Sequence, residues 1–137
     1  MEIVIADTGF VVALLNRLDV RHLDVLPIYL KQAQILLPQT ALVEIAYLIG
    51  RDVGISAVVQ FLQGIPKSRF IVIHAIDSDI VRVAEILAKY ADSYIDFVDA
   101  SVMAIAERLN IQTVLTIDQR DFRMFRPKHC SSFQLLP

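Results

Sequence analysis

Cysteine is nearly absent: Cys130 stands alone in a chain of 137 residues that also holds three histidines. That excludes a disulfide framework and leaves too few ligands for a dedicated zinc cage. Long apolar runs are missing too. The longest, Phe10 to Leu15, spans six residues, whereas a membrane span needs roughly 18–20. The N-terminus is acidic at Glu2 and has no basic region, so no signal peptide is expected and the chain reads as cytoplasmic. Nor is there an excess of positive charge. Thirteen basic residues against fifteen acidic ones give a net charge of −2. A general electrostatic binder of nucleic acid is excluded, and any such partner must be met by a local patch. No phosphate-binding loop ending in Gly-Lys-Ser/Thr, no Gly-x-Gly-x-x-Gly, no long repeat and no linker occurs.

Apolar residues are plentiful, at 55% with a mean hydropathy of +0.55. Such an excess suits a sheet buried on both faces, or an oligomer that hides further surface. The length fits a single domain over residues 1–137.

The pattern is organised around Ile3-Val4-Ile5-Ala6-Asp7-Thr8-Gly9-Phe10. A short apolar strand ends in a carboxylate, and the apolar run after Gly9 is long enough for a helix. Asp19 or Asp24 is a candidate cap for a second helix running towards Gln34. Ile35 to Leu37 reads as a strand, and Thr40 as the cap of a helix over Ala41 to Ile49. A further helix covers Ser56 to Gln63, and Phe70 to Ile73 is the third strand. Asp77 or Ser78 opens a helix whose apolar stripe is Ile80, Val83, Ala84 and Leu87. Asp96 begins another, with Val98, Val102, Ile105 and Leu109 on one face. Thr113 to Ile117 is the fourth strand, and a short one closes the chain around Ser132 to Leu136. Strands alternating with helices predict a parallel α/β sheet.

Asp7 and Asp118 each follow an apolar strand, which parallel pairing brings to one sheet edge, where ligands bind in such folds. Glu44 is the one residue between Ala41 and Ile49 that is not apolar, and charges are rarely buried without a partner. Asp96 and Asp99 are spaced as N-cap and N3 of their helix, which explains Asp96 by capping and leaves Asp99 able to serve both capping and chemistry.

Together Ala6-Asp7-Thr8-Gly9-Phe10, Asp96-Phe97-Val98-Asp99-Ala100 and Leu115-Thr116-Ile117-Asp118, running into Arg120-Asp121-Phe122, resemble the PIN domain. This nuclease fold is common among VapC-like toxins of bacterial and archaeal toxin–antitoxin pairs. The resemblance implies a three-layer α/β fold whose central, mainly parallel sheet of four to five strands is flanked by helices. It places the acidic catalytic cluster on Asp7, Glu44, Asp99 and Asp118, with Thr8, Asp96, Thr116 and Asp121 in support. One departure stands out: where the family has arginine after the fourth acid, this chain has Gln119, with Arg120 next.

Converging carboxylates raise each other's pKa unless a cation intervenes, and an all-oxygen set selects Mg²⁺ or Mn²⁺. Asp7, Asp99 and Asp118 are the expected metal contacts, and Glu44 either a further ligand or the residue that orients the attacking water. The implied activity is an endoribonuclease that cleaves RNA with metal-activated water. Arg120, Arg123, Arg126 and Lys128 are the expected RNA contacts, whereas Phe122 and Phe125 among them read as core. His74 reads as a packed structural histidine. The family's habit and the apolar excess imply a homodimer, and the toxin side of the family implies an antitoxin partner.

Other readings compete. Asp-Thr-Gly also marks aspartic proteases, but that fold is nearly all β. An aspartyl-nucleophile phosphatase wants a second aspartate where Gly9 stands. The remaining alternative is a PIN-like module that binds nucleic acid or protein without cutting.

Overall fold

The computed structural model describes residues 2–137. Five short strands form one sheet: β1 (Val4–Ala6), β2 (Ile35–Pro38), β3 (Phe70–Ile73), β4 (Thr113–Leu115) and β5 (Gln134–Leu136). Their order is β3-β2-β1-β4-β5, and every pairing is parallel. Seven helices cover the sheet. Four of them, α1 (Thr8–Leu15), α2 (His22–Lys31), α3 (Gln39–Asp52) and α4 (Ile55–Gly64), precede β3; α5 (Asp77–Lys89), α6 (Phe97–Arg108) and α7 (Arg120–Met124) follow it.

Alternation along each strand builds the three layers, because successive side chains point to opposite faces. Val4, Ala6, Ile35, Leu37 and Leu115 pack with Phe10, Val25, Ile45 and Val58 of α1 to α4. Ile5 and Val114 point the other way and pack with Val83 and Ile86 of α5, Met103 and Ile105 of α6, and Phe122. A sheet covered on both faces accounts for the high apolar content. No helix among the described residues is long and apolar enough to cross a membrane.

Several local expectations are corrected. Neither Asp19 nor Asp24 caps α2: Asp19 accepts from the Arg21 amide in a turn, and Asp24 lies in the helix's first turn, paired with Arg21. Thr40 lies inside α3, where its hydroxyl bonds the Ser101 hydroxyl of α6 at 2.6 Å. α3 also runs through Gly50 to Asp52 and stops before Gly54, whose φ of +125° suits glycine alone. On α5 the stripe turns by a residue. Ile80 and Ala84 face solvent, while Asp79, Val83 and Ile86 are buried. The cause is polar. Asp79 closes the helix by accepting from the Ile76 amide and takes the Arg108 guanidinium of α6 at 3.0 Å. β4 ends at Leu115, two residues early, and His74 is exposed. The segment after Asp118 contains the short helix α7.

Candidate active site

The register of the sheet places the first acid. Ala6 of β1 pairs with Leu115 of β4, so the next residues, Asp7 and Thr116, emerge side by side at the carboxyl edge. The Thr116 hydroxyl donates to Asp7 Oδ2 at 2.5 Å. Asp7 is also the N-cap of α1, accepting from the Phe10 amide at 3.2 Å. Helix α1 begins in this crowded corner because residue 9 is glycine. A Cβ there would lie 3.3 Å from Cγ1 of Ile117.

The other acids arrive from separate elements. Glu44 comes from α3, while Asp96 and Asp99 form a reciprocal capping box at the start of α6: each side chain accepts from the other's amide. Asp118 follows β4, and Asp121 lies in the first turn of α7. All six line one cavity of about 340 Å³, together with Thr8, Gly9, Leu48 and Tyr94.

Crowding and burial shift the titration of these groups. Asp7, only 6% exposed, is pushed up to about 6, chiefly by burial and further by the charges of Asp118 and Glu44; the Thr116 and Phe10 hydrogen bonds oppose the rise. Asp99 is pushed up to about 8, by burial first and by the neighbouring Asp96 second. Burial and Asp118 raise Asp121 as well. Thr8 Oγ1 and Asp121 Oδ1 are buried without a hydrogen-bond partner.

The donor set fits a hard divalent cation in kind: every candidate ligand is oxygen, two buried oxygens lack partners, and the raised carboxylates gain from a positive neighbour. As placed, the acids ring the cavity instead of meeting at one point. Among the described residues no group of three or more His, Cys, Asp or Glu side chains is arranged to hold an ion.

The expected RNA contacts separate. Arg120 sits over the ring of the cavity residue Tyr94, 5.0 Å from its centroid, without lining the cavity itself. Arg123 bonds the Gln119 side chain, Arg126 folds back on the Arg123 carbonyl, and Lys128 reaches Glu85 of α5 at 3.8 Å. None of these last three touches a residue of the cavity through the contacts named. Gln119, standing in the family's arginine position, donates to the Thr116 and Pro137 carbonyls. Tyr94 and Leu48 were not foreseen as cavity residues. An aromatic two residues before the capping Asp96 was the available signal for Tyr94.

Thr116→Val isolates the hydroxyl that supports Asp7. The variant is expected to lose about 1–3 kcal/mol of stability in urea unfolding at pH 8, because a buried carboxylate loses a donor. At pH 5, where folded Asp7 holds its proton, the loss is expected to be smaller.

The PIN domain family model matches residues 4–126. Ribonuclease VapC26 of Mycobacterium tuberculosis is 30% identical over 94 residues, which cover 69% of this chain and 70% of that protein. The crystal structure of VapC20 from the same organism, a toxin described as cleaving the sarcin–ricin loop, superposes with a TM-score of 0.74 at 26% identity, covering 81% of this chain and 86% of the other. VapBC2 from Rickettsia felis, bound to a DNA fragment from its promoter, shares the fold at 17% identity with a TM-score of 0.70, over 97% of this chain and 96% of that one. The family match runs from β1 to α7, through every element that carries an acid of the cavity: the chain belongs to the PIN domain family.

Proposed function

We propose that the protein is a metal-dependent endoribonuclease of the VapC type that hydrolyses RNA at the acidic cavity. The observation that carries this reading is the convergence of Asp7, Glu44, Asp96, Asp99, Asp118 and Asp121 from five separate elements or turns on one cavity. A fold gains no stability from gathering six carboxylates, two of them raised well above the usual carboxylate range. Clusters of this kind mark functional sites.

In this mechanism Asp7, Asp99 and Asp118 would hold Mg²⁺ or Mn²⁺. When bound, the ion supplies positive charge against the phosphodiester and acidity to a water. The chain's own residues do the rest. Glu44 orients the attacking water and takes its proton. The Thr116 hydroxyl keeps the Asp7 carboxylate in place, and Thr8 offers an unused buried oxygen to the water. Asp96 holds Asp99 through the capping box, Asp121 adds a further buried carboxylate oxygen to the cavity, and Arg120 meets a backbone phosphate. The family relatives named as ribonuclease and as RNA-cleaving toxin support the substrate class.

The proposal includes a cytoplasmic setting, a homodimer and an antitoxin. α3 turns Val43 and Tyr47 to solvent at 70% and 66% exposure, and Leu23 of α2 and Ile55 of α4 are open as well. Large apolar side chains open to solvent on three helices are consistent with a surface that another chain covers. Sedimentation should show a dimer at micromolar concentration; a monomer alone removes that part.

The decisive assay is cleavage of total bacterial RNA, ribosomal RNA included, by purified protein in Mn²⁺ or Mg²⁺. EDTA and an Asp99→Asn variant run beside it. Cuts that vanish with EDTA and fall about a hundredfold or more with Asp99→Asn are expected. Manganese binding with no cut in any RNA would favour a module that binds without cleaving.

A further inference from the structure

Tyr94 is 77% exposed, a position that costs a large aromatic ring its burial energy, and it stands at the rim of the acidic cavity. Its backbone is pinned on both sides. Ser93 closes the turn by donating its hydroxyl to the Tyr90 carbonyl at 2.6 Å and accepting from the Ile95 amide at 3.2 Å. Ile95 is buried in the core, and Asp96 begins α6. The ring is thus held out into solvent by a fixed loop. The Arg120 guanidinium, 5.0 Å from the ring centroid, adds a cation beside it.

We propose that Tyr94 is a base-stacking platform, gripping one unpaired RNA base next to the scissile phosphate while Arg120 braces the ring and meets the backbone. The chemistry is general: every base has a π face, and stacking on an aromatic is worth about 1–3 kcal/mol per base. A base within a duplex cannot reach the ring without unstacking, so the platform admits loops and single strands and rejects paired RNA. It also answers how an acidic cavity retains a polyanion, since the grip is on the base and not on the phosphate. The inference rests on the nuclease reading of the same cavity.

The test begins with wild-type cuts mapped in total bacterial RNA. A synthetic loop oligonucleotide carrying the mapped site is then prepared intact and with an abasic nucleotide at each position flanking the cut. Tyr94→Ala is expected to raise KM about 5- to 150-fold, the span set by the stacking energy, with a much smaller change in kcat. Tyr94→Phe and Tyr94→Trp restore KM, because they keep the ring. One abasic position raises the wild-type KM by a similar factor and adds nothing further in Tyr94→Ala. An unchanged KM in Tyr94→Ala, or abasic and alanine effects that simply multiply at every position, overturns the platform while leaving the nuclease intact. An absence of any EDTA-sensitive cut by the wild-type protein removes both readings and is seen at the first step. Circular dichroism on each variant separates loss of binding from loss of fold.

Discussion

Replacing Asp7 with asparagine is expected to lower RNA cleavage by about a thousandfold or more, about 4 kcal/mol of transition-state stabilisation, and to stabilise the protein when metal is withheld. The second half follows from linkage. Folded Asp7 titrates at about 6 against an ordinary 3.8, so between those values the folded state binds more protons than the unfolded one. Stability therefore falls as pH rises through this window, and the full cost, about 3 kcal/mol, applies above pH 6. Asparagine carries no charge to desolvate. It still offers an acceptor to the Phe10 amide, and asparagine is a good N-cap. The Thr116 hydroxyl can turn to the Asp118 carbonyl, 3.1 Å away. Urea unfolding in EDTA at pH 8 should therefore show Asp7→Asn more stable by about 1–3 kcal/mol, with the gap closing near pH 4. Millimolar Mg²⁺ should narrow or reverse the order, since the wild type, with all three proposed contacts, gains more from binding. Equal stabilities at pH 8 without metal would show that the Asp7 charge is solvated despite its burial.

Phe125→Ala is expected to be the most destabilising single change, at about 3–5 kcal/mol, because a fully buried ring leaves a cavity behind. Phe125 stacks on Phe133 at 6.0 Å and meets Tyr90 at 5.6 Å. The Arg82 guanidinium, paired with Glu107 at 2.7 Å, covers it at 5.8 Å. Losing the ring loosens α5, α6 and the approach to β5 together. A fall in Tm of about 10 °C or more should appear in thermal unfolding. Cleavage well below the transition should be little changed, since the ring packs away from the acids, against Tyr90, Phe133 and Arg82, and the bond from the Phe125 amide to the Asp121 carbonyl is a backbone one that alanine keeps. A shift of only a degree or two would mean that the segment after α7 is not part of the cooperative core.

Much of this molecule could be read from residue order. The alternation of short apolar strands with helical stripes dictated a parallel sheet covered on both faces, because parallel strands need crossover helices, and these pack on the faces of the sheet. Asp7 and Asp118, each placed after a strand, had to reach the same edge. Phe122 and Phe125 were legible as core despite their basic neighbours, because an apolar ring among charges is most stable turned inward.

Other features depended on long-range contacts. The turn of the α5 stripe came from Asp79 meeting Arg108, an ion pair 29 residues apart in the chain. Ile80 and Ala84 lost their place in the core to a carboxylate that needed a guanidinium and an amide. Thr40 left its expected cap because Ser101 lay across the interface. The β1–β4 register, with Ala6 opposite Leu115, brought Thr116 beside Asp7, which turned a supporting hydroxyl into a direct donor. The basic segment dispersed for the same reason. Arg123, Arg126 and Lys128 found partners in Gln119, a backbone carbonyl and Glu85, and Arg120 came to rest over the ring of Tyr94. Periodicity and spacing by themselves determined which layers form and which edge carries the acids, since both follow from local geometry and burial. Which partner each polar group takes, and so the titration of Asp7 and Asp99 and the place of Tyr94, was decided only when distant segments packed together.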